Sequence, residues 1–243
     1  MRRGVVITIC GILLYAGGIT RFATAYGSVY FDDGGNHIIG DAAYQNTNVY
    51  LDPYTANIPG THAQVINGGV VNYLGAANNS TIEVDGGAIN YGIQASGNSK
   101  IVVNGGTVGR IWADIHSLVA VNGGSIDTVN ACGNGIAEIR GGAIFSAIHA
   151  WNSGKICLYG ANFSIGGVEL NYGDSLRLYG VIGGPNYGQL TGTITGTLLD
   201  GSVLNCQFFV PLSNPDGADI IVIPEPVASV LMVAGILLLR RKR

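Results

Sequence analysis

Aliphatic residues recur along the middle of the chain every second position within short segments, and every 18 or 19 positions between segments. Alternation in steps of two is typical of β-strands that bury one face, and the many β-branched residues at these positions favour strands as well. Equivalent positions form columns, of which the first contains Val71, Ile89, Val108, Ile126, Ile144 and Phe163. A fixed period of this length predicts a solenoid, in which each coil stacks on the preceding coil.

Glycine pairs repeat with the same period and begin at positions 68, 86, 105, 123 and 141. Four more columns accompany them: Leu74, Ile93, Ile111, Val129, Ile148, Val168; Ala76, Ala95, Ala113, Ala131, Ala150, Leu170; Ile82, Ile101, Val119, Ala137, Ile156, Leu176; and Val84, Val103, Val121, Ile139, Leu158, Leu178. Asn and Ser segments between the columns favour turns, with Ser80, Ser99 and Ser117 in equivalent positions. We predict about three short strands per coil and a coil spacing of about 4.8 Å.

The fold class that follows is an all-β, parallel β-solenoid of about eight coils with repeats of about 18 residues. Columns that persist across six coils disfavour the alternative, a β-sandwich with accidental periodicity. We divide the chain into a signal peptide (1–25), N-terminal coils or cap (26–66), regular repeats (67–178), C-terminal cap strands (179–212), a flexible linker (213–223) and a sorting segment with a short transmembrane helix (224–243).

The N-terminal segment has the features of a secretory signal peptide, which would form a helix. Arg2 and Arg3 precede an apolar run, and Ala23-Thr24-Ala25 supplies small residues at the expected cleavage site. Cleavage after Ala25 would leave Tyr26 as the first residue of the mature chain. We therefore expect export through the secretion translocon.

The C-terminal segment combines three features in order: Pro224-Glu225-Pro226, an apolar stretch over 227–239, and the basic residues Arg240, Arg241, Lys242 and Arg243. The apolar stretch would span about 20 Å as a helix, whereas a bilayer core is about 30 Å thick. This arrangement resembles the PEP-CTERM sorting signal. The resemblance covers about twenty residues and implies processing by an exosortase-like membrane protease in a bacterium that makes extracellular polysaccharide. It implies transient tethering to the inner membrane and delivery to the outer surface or matrix.

Charge and cysteine content restrict which partners and ligands the chain could bind. Between the two terminal segments the chain has five Lys and Arg against fourteen Asp and Glu, a net charge of −9. An acidic surface disfavours nucleic acid as a partner. Cys132, Cys157 and Cys206 could form one disulfide in an oxidising compartment, but their spacing matches no zinc signature. We predict no cofactor and no metal.

One patch of side chains departs from the repeat and is a candidate sugar-binding site. In three successive coils the positions that alternate with buried ones hold Trp112 and Asp114, then Asn130 and Cys132, then His149 and Trp151, with His116 nearby. Exposed aromatic rings beside carboxylate, amide and imidazole groups can stack on sugar rings and bind hydroxyls. The alternative to a sugar-binding site is that these side chains are scattered over the surface and that the two tryptophans cover the edges of coils.

A secreted β-helix could also be a pectin-lyase-like enzyme, which needs carboxylates and bases together on one face. Lys100 and Lys155 share a coil position but lie three coils apart, roughly 14 Å. No column gathers two acids and a base. We therefore predict a structural or adhesive protein of the cell surface or extracellular matrix, with sugar binding as the first alternative and polysaccharide degradation as the second.

Overall fold

The computed structural model describes residues 27–52, 60–183, 188–212 and 217–223. The predicted signal peptide, its cleavage site and the sorting segment with its transmembrane helix lie outside these residues. Within them the secondary structure is nineteen β-strands and one 3₁₀ helix. No helix in this described part of the chain is long and apolar enough to cross a membrane.

The described chain winds into a parallel β-solenoid of about seven turns. In chain order the strands of the regular turns are β1 (Gly27–Phe31), β2 (Asn36–Ile39), β3 (Tyr44–Leu51), β4 (His62–Val65), β5 (Val70–Ala76), β6 (Thr81–Val84), β7 (Ala88–Ala95), β8 (Lys100–Val103), β9 (Thr107–Ala113), β10 (Leu118–Val121), β11 (Ser125–Ala131), β12 (Ile136–Ile139) and β13 (Ala143–Ala150). Odd-numbered strands pair with odd-numbered neighbours and even-numbered strands with even-numbered neighbours, all in parallel register.

Each turn therefore contains two strands, one short and one long, rather than the three that the sequence pattern predicted. The first and middle aliphatic columns belong to one long strand, which carries an irregularity between them. Between β7 and β9, for example, the register shifts after Ile89 and resumes at Ile93. A bulge inserts an extra residue without ending the strand, so both columns still face inward.

The interior is a stack of aliphatic columns contributed by both sheets. The first column is buried throughout, from Val71 to Phe163. The predicted members of the other columns are also buried up to Leu158, including all six alanines. Each buried Val or Ile side chain contributes about 1.5–3 kcal/mol relative to exposure, so the columns provide most of the driving force for stacking.

The two corners of each turn use different residues. Gly-Gly pairs lie between a short strand and the following long strand. The opposite corner contains the buried serines Ser80, Ser99 and Ser117. The hydroxyls of Ser99 and Ser117 donate to the carbonyl oxygens of Ala76 and Ala95 in the preceding coil, at 3.2 and 3.1 Å. These bonds link each of the two corners to the preceding coil.

The regular winding ends in a cap built from β14 (Lys155–Ile165), β15 (Val168–Glu169), β16 (Val181–Gly183), β17 (Gln189–Leu198), β18 (Val203–Pro211) and β19 (Asp219–Ile223). β17 and β18 form an antiparallel pair. β18 also extends the long-strand sheet by pairing with β13, and β19 extends the short-strand sheet by pairing with β14. Both sheets thus gain a partner where an open edge would favour aggregation.

Two predictions near this cap were wrong, because Val168 and Leu178 were expected in the buried columns and are exposed. β14 continues past Gly160 without turning, and the reversal after Ile165 leaves Val168 56% exposed. The 3₁₀ helix at Leu176–Leu178 buries its first residue, and Leu178 is 75% exposed. The coil count is therefore about seven instead of eight, because the chain from here on builds the cap.

The predicted linker over 213–223 also needs correction at its C-terminal end. Asp219–Ile223 is strand β19, parallel to Lys155–Tyr159 of β14. Ile220 and Val222 alternate with less buried neighbours and lie fully in the core. The unfilled edge of β14 and the alternation in this segment explain why it folds onto the solenoid.

Candidate functional site

The predicted sugar-binding residues on the strand face align in one column. Trp112 of β9 pairs in register with Asn130 of β11, which pairs with His149 of β13. Two coil spacings of about 4.8 Å place the Trp112 and His149 backbones about 10 Å apart. Asn130, the small residue between them, donates from Nδ2 to the Ile111 carbonyl oxygen at 3.1 Å. We refer to these three residues, with an aromatic side chain in the coil on either side of Asn130, as the slot over Asn130.

His149 lies between two other aromatic rings. Its ring is nearly parallel to that of Trp151, with centroids 5.7 Å apart, and to that of Phe209 in the cap, at 4.6 Å. Nδ1 of His149 is buried and has no hydrogen-bond partner. Burial, reinforced by the positive charge of Arg110, lowers the pKa of His149. The imidazole is therefore neutral at physiological pH and packs as an aromatic ring.

The other predicted residues lie at the corner turn. Asp114 Oδ1 accepts from the backbone N–H of Ile115 at 2.9 Å, which stabilises the turn. His116 is exposed, and its Nε2 lies 3.4 Å from Asn134 Nδ2 in the next coil. Asp114 Oδ2 also accepts from Nε2 of Gln94, the register partner of Trp112, at 3.5 Å, so Asp114 stays beside the Trp112 face whereas His116 bonds within the turn region.

The three cysteines that the structure describes are free thiols. Burial, with a contribution from Asp114, raises the pKa of Cys132 to about 12, and burial alone raises that of Cys206 to about 12. Burial raises the pKa of Cys157 as well. Among the described residues, no group of three His, Cys, Asp or Glu side chains could hold a metal ion.

The bases considered for catalysis remain dispersed. Successive register pairs align Lys100 with Leu118, Ile136 and Lys155, so the two lysines share a column three coils apart. Arg140 forms an ion pair with Glu138 at 2.5 Å and lies over the Tyr159 ring.

A row of aromatic rings runs along one side of the solenoid and ends at Trp112. The sequence pattern did not reveal this row. The rings belong to Tyr30, Tyr50, Tyr73, Tyr91 and Trp112, with successive centroids 5.6, 5.6, 6.2 and 6.0 Å apart. Their spacings in sequence are 20, 23, 18 and 21, close to one coil each. A search that allows intervals of 18 to 23 positions, instead of the strict 18 or 19, would have found the row.

The row borders a groove of 490 Å³ lined by Asn48, Tyr50, Asn72, Tyr73 and Tyr91. The Asn72 amide donates to Asn48 Oδ1 at 2.8 Å, and the Tyr73 hydroxyl donates to Gln94 Oε1. Burial, and then the neighbouring Tyr50 and Tyr91, raise the pKa of Tyr73. The lining is therefore aromatic and amide, and the hydroxyl of Tyr73 is neutral.

Gly75 provides the space in which two of these tyrosines meet. A Cβ at position 75 would lie 3.1 Å from Tyr50 Cδ1 and 3.3 Å from Tyr73 Cε1. Such contacts are tighter than ordinary van der Waals separations of about 3.5–4.0 Å. The missing side chain in β5 thus lets the rings of adjacent coils approach each other over the sheet.

Comparison with protein-family models, curated proteins and solved structures finds no match to this chain. Its function is therefore inferred from the geometry of its own residues.

Proposed function

We propose that this chain is an exported structural or adhesive protein of the cell surface or of a polysaccharide matrix such as that of a biofilm. The observation that carries the proposal is the uninterrupted solenoid, whose seven or so turns form a rod of roughly 35 Å. Neighbouring turns repeat the same faces, which suits display and multivalent contact. The acidic balance of the segment between the termini suits solubility outside the cell.

Export and sorting are part of the proposal. The signal-peptide pattern ending at Ala25 would direct the chain across the membrane. The resemblance of the segment from Pro224 to Arg243 to a PEP-CTERM signal supports a transient tether, which an exosortase-like protease would release. The folded turns between these segments would then reach the outer surface.

Fractionation of the producing cells tests this localisation. The full chain should be accessible to protease added to intact cells, whereas a variant lacking residues 2–25 should remain protected in the cytoplasm. The proposal would be overturned if the full chain stayed in the cytoplasm, protected from the protease, as the variant does. A cytoplasmic enzyme measured in parallel controls for lysis.

Carbohydrate binding at the slot over Asn130 is the second candidate function. The register of Trp112, Asn130 and His149 favours it, because a small residue separates two aromatic positions. Polysaccharide pull-down should weaken in the double variant Trp112→Ala, Trp151→Ala and persist in Phe145→Ala, whose exposed side chain lies on the same strand as His149. Binding that survives the double substitution would exclude this site.

The proposed role is non-enzymatic, supported by the three-coil separation of Lys100 and Lys155 and by the engagement of Arg140 with Glu138. Incubation with uronate polymers should release no unsaturated products. Accumulation of such products would favour the lyase alternative.

A further inference from the structure

We propose that the tyrosine groove, formed by Asn48, Tyr50, Asn72, Tyr73 and Tyr91, binds a short segment of an uncharged polysaccharide. The groove is distinct from the slot over Asn130 and goes beyond the structural role proposed above. Its volume of 490 Å³ falls within the range of about 300–1,000 Å³ typical of small-molecule sites. Such a site can hold a short oligosaccharide segment.

The tilt of the rings leaves aromatic surface open to a ligand. Tyr30 and Tyr50 are stacked, with an interplanar angle of 20°. The angle opens to 50° between Tyr50 and Tyr73 and to 49° between Tyr73 and Tyr91. Rings splayed in this way cannot cover each other's faces. The opening occurs where the groove lies, and Tyr91 is 56% exposed at its edge.

The polar groups in the groove suit hydroxyls rather than charges. Asn48 and Asn72 share one hydrogen bond, and each amide carries further donor or acceptor capacity. Amides can both donate to and accept from sugar hydroxyls, while tyrosine rings pack against the apolar faces of the sugar. Among the residues that the structure describes, the lining includes no Asp, Glu, Lys, Arg or His. An anionic polymer would find no cation among these described lining residues and would meet a chain segment with a net charge of −9.

The groove is preorganised by the sheet beneath it. Its residues lie on β3, β5 and β7, whose parallel pairing fixes their spacing. Val49, Leu74 and Ile93 on these strands are fully buried and anchor the sheet to the core. A rigid site loses little conformational entropy on binding, which favours affinity.

Affinity electrophoresis of the folded protein tests the inference. Gels containing hydroxyethylcellulose, galactomannan or dextran supply neutral polymers, and alginate supplies an anionic one. At least one neutral polymer should retard the protein, and alginate should not. Tyr91→Ala should weaken binding by about tenfold, the effect expected for one stacking aromatic ring, whereas Tyr91→Phe should retain most of it.

Phe145→Ala is the matched control, because Phe145 is a similarly exposed aromatic residue elsewhere on the solenoid, at 68% exposure. Trp151→Ala, which removes the ring stacked on His149 and leaves the aromatic row intact, should bind as the unaltered protein does if the groove is the site, which separates the groove from the slot. Circular dichroism verifies that each variant is folded. Absence of binding to all three neutral polymers, preferential binding to alginate, or full binding by Tyr91→Ala would overturn the inference.

Discussion

Gly106→Ala should destabilise the solenoid strongly, because two separate penalties act at this corner. Gly106 has φ +79°, a left-handed conformation in which an L-residue is strained. A Cβ at this position would also lie 2.7 Å from the carbonyl oxygens of Gly86 and Gly87 in the preceding coil. Those oxygens belong to backbone that is fixed by the stack, so they cannot move aside without separating two coils.

The structure provides a control that isolates the first penalty. Gly201 has φ +85°, but nothing lies within 4 Å of a Cβ built there. Gly201→Ala should therefore cost only the conformational strain, about 1–2 kcal/mol. Gly106→Ala adds an overpacking cost of about 1–3 kcal/mol, for a total of about 2–5 kcal/mol.

Urea unfolding followed by far-UV circular dichroism measures the difference. We expect the midpoint of Gly106→Ala to lie well below that of Gly201→Ala, and both below that of the unaltered protein. Because repeat proteins can unfold in stages, the first transition is the one to compare. Equal midpoints for the two variants would refute close stacking of the Gly-Gly corners.

Two further substitutions test buried polar and aromatic groups. Asp52→Ala should cost about 2–3 kcal/mol in urea unfolding, because the buried carboxylate accepts from the Thr61 N–H and hydroxyl at 2.6 Å each; Asp52→Asn should cost less, and an equal loss would contradict this role. The pKa of His149 is lower in the folded protein than in the unfolded chain. As the pH drops below about 6.5, the unfolded chain therefore binds a proton that the folded protein does not, and the free energy of unfolding should fall. His149→Phe should flatten this pH dependence of the urea midpoint, and an unchanged slope would refute the assignment.

The regular turns could be predicted from sequence because their information is local and repeated. A strand that buries one face must alternate, and stacked coils must place the same residue type at the same position. Val71, Ile89 and Val108 satisfy both conditions, and all are buried. Counting strands was harder, since a bulge and a turn interrupt the alternation in similar ways.

The cap was predictable in kind but not in detail. Cap strands over 179–212 were predicted, but their antiparallel pairing was not. The placement of Asp219–Ile223 depends on the free edge of β14, a tertiary feature. Val168 was assigned to the column of Leu74 and Ile148 because of its spacing in the sequence, but it is exposed. The chain reverses before it could enter the core.

The candidate sites show the same limit. The alignment of Trp112 with Asn130 and His149 followed from the period, because only one extra residue, before Ala147, interrupts the register between these coils. Insertions in the earlier coils gave the tyrosines irregular spacings, which hid the row. The groove depends on ring tilt and on the space over Gly75, neither of which is encoded as a periodic pattern.

Intact-mass spectrometry of the protein recovered from the outside of the producing cell tests the central proposal most directly. If the chain is an exported rod delivered by its terminal segments, the recovered protein should begin at Tyr26 and should lack the basic residues from Arg240 to Arg243. A mass equal to that of the intact 243-residue chain, found only inside the cell, would contradict the proposal.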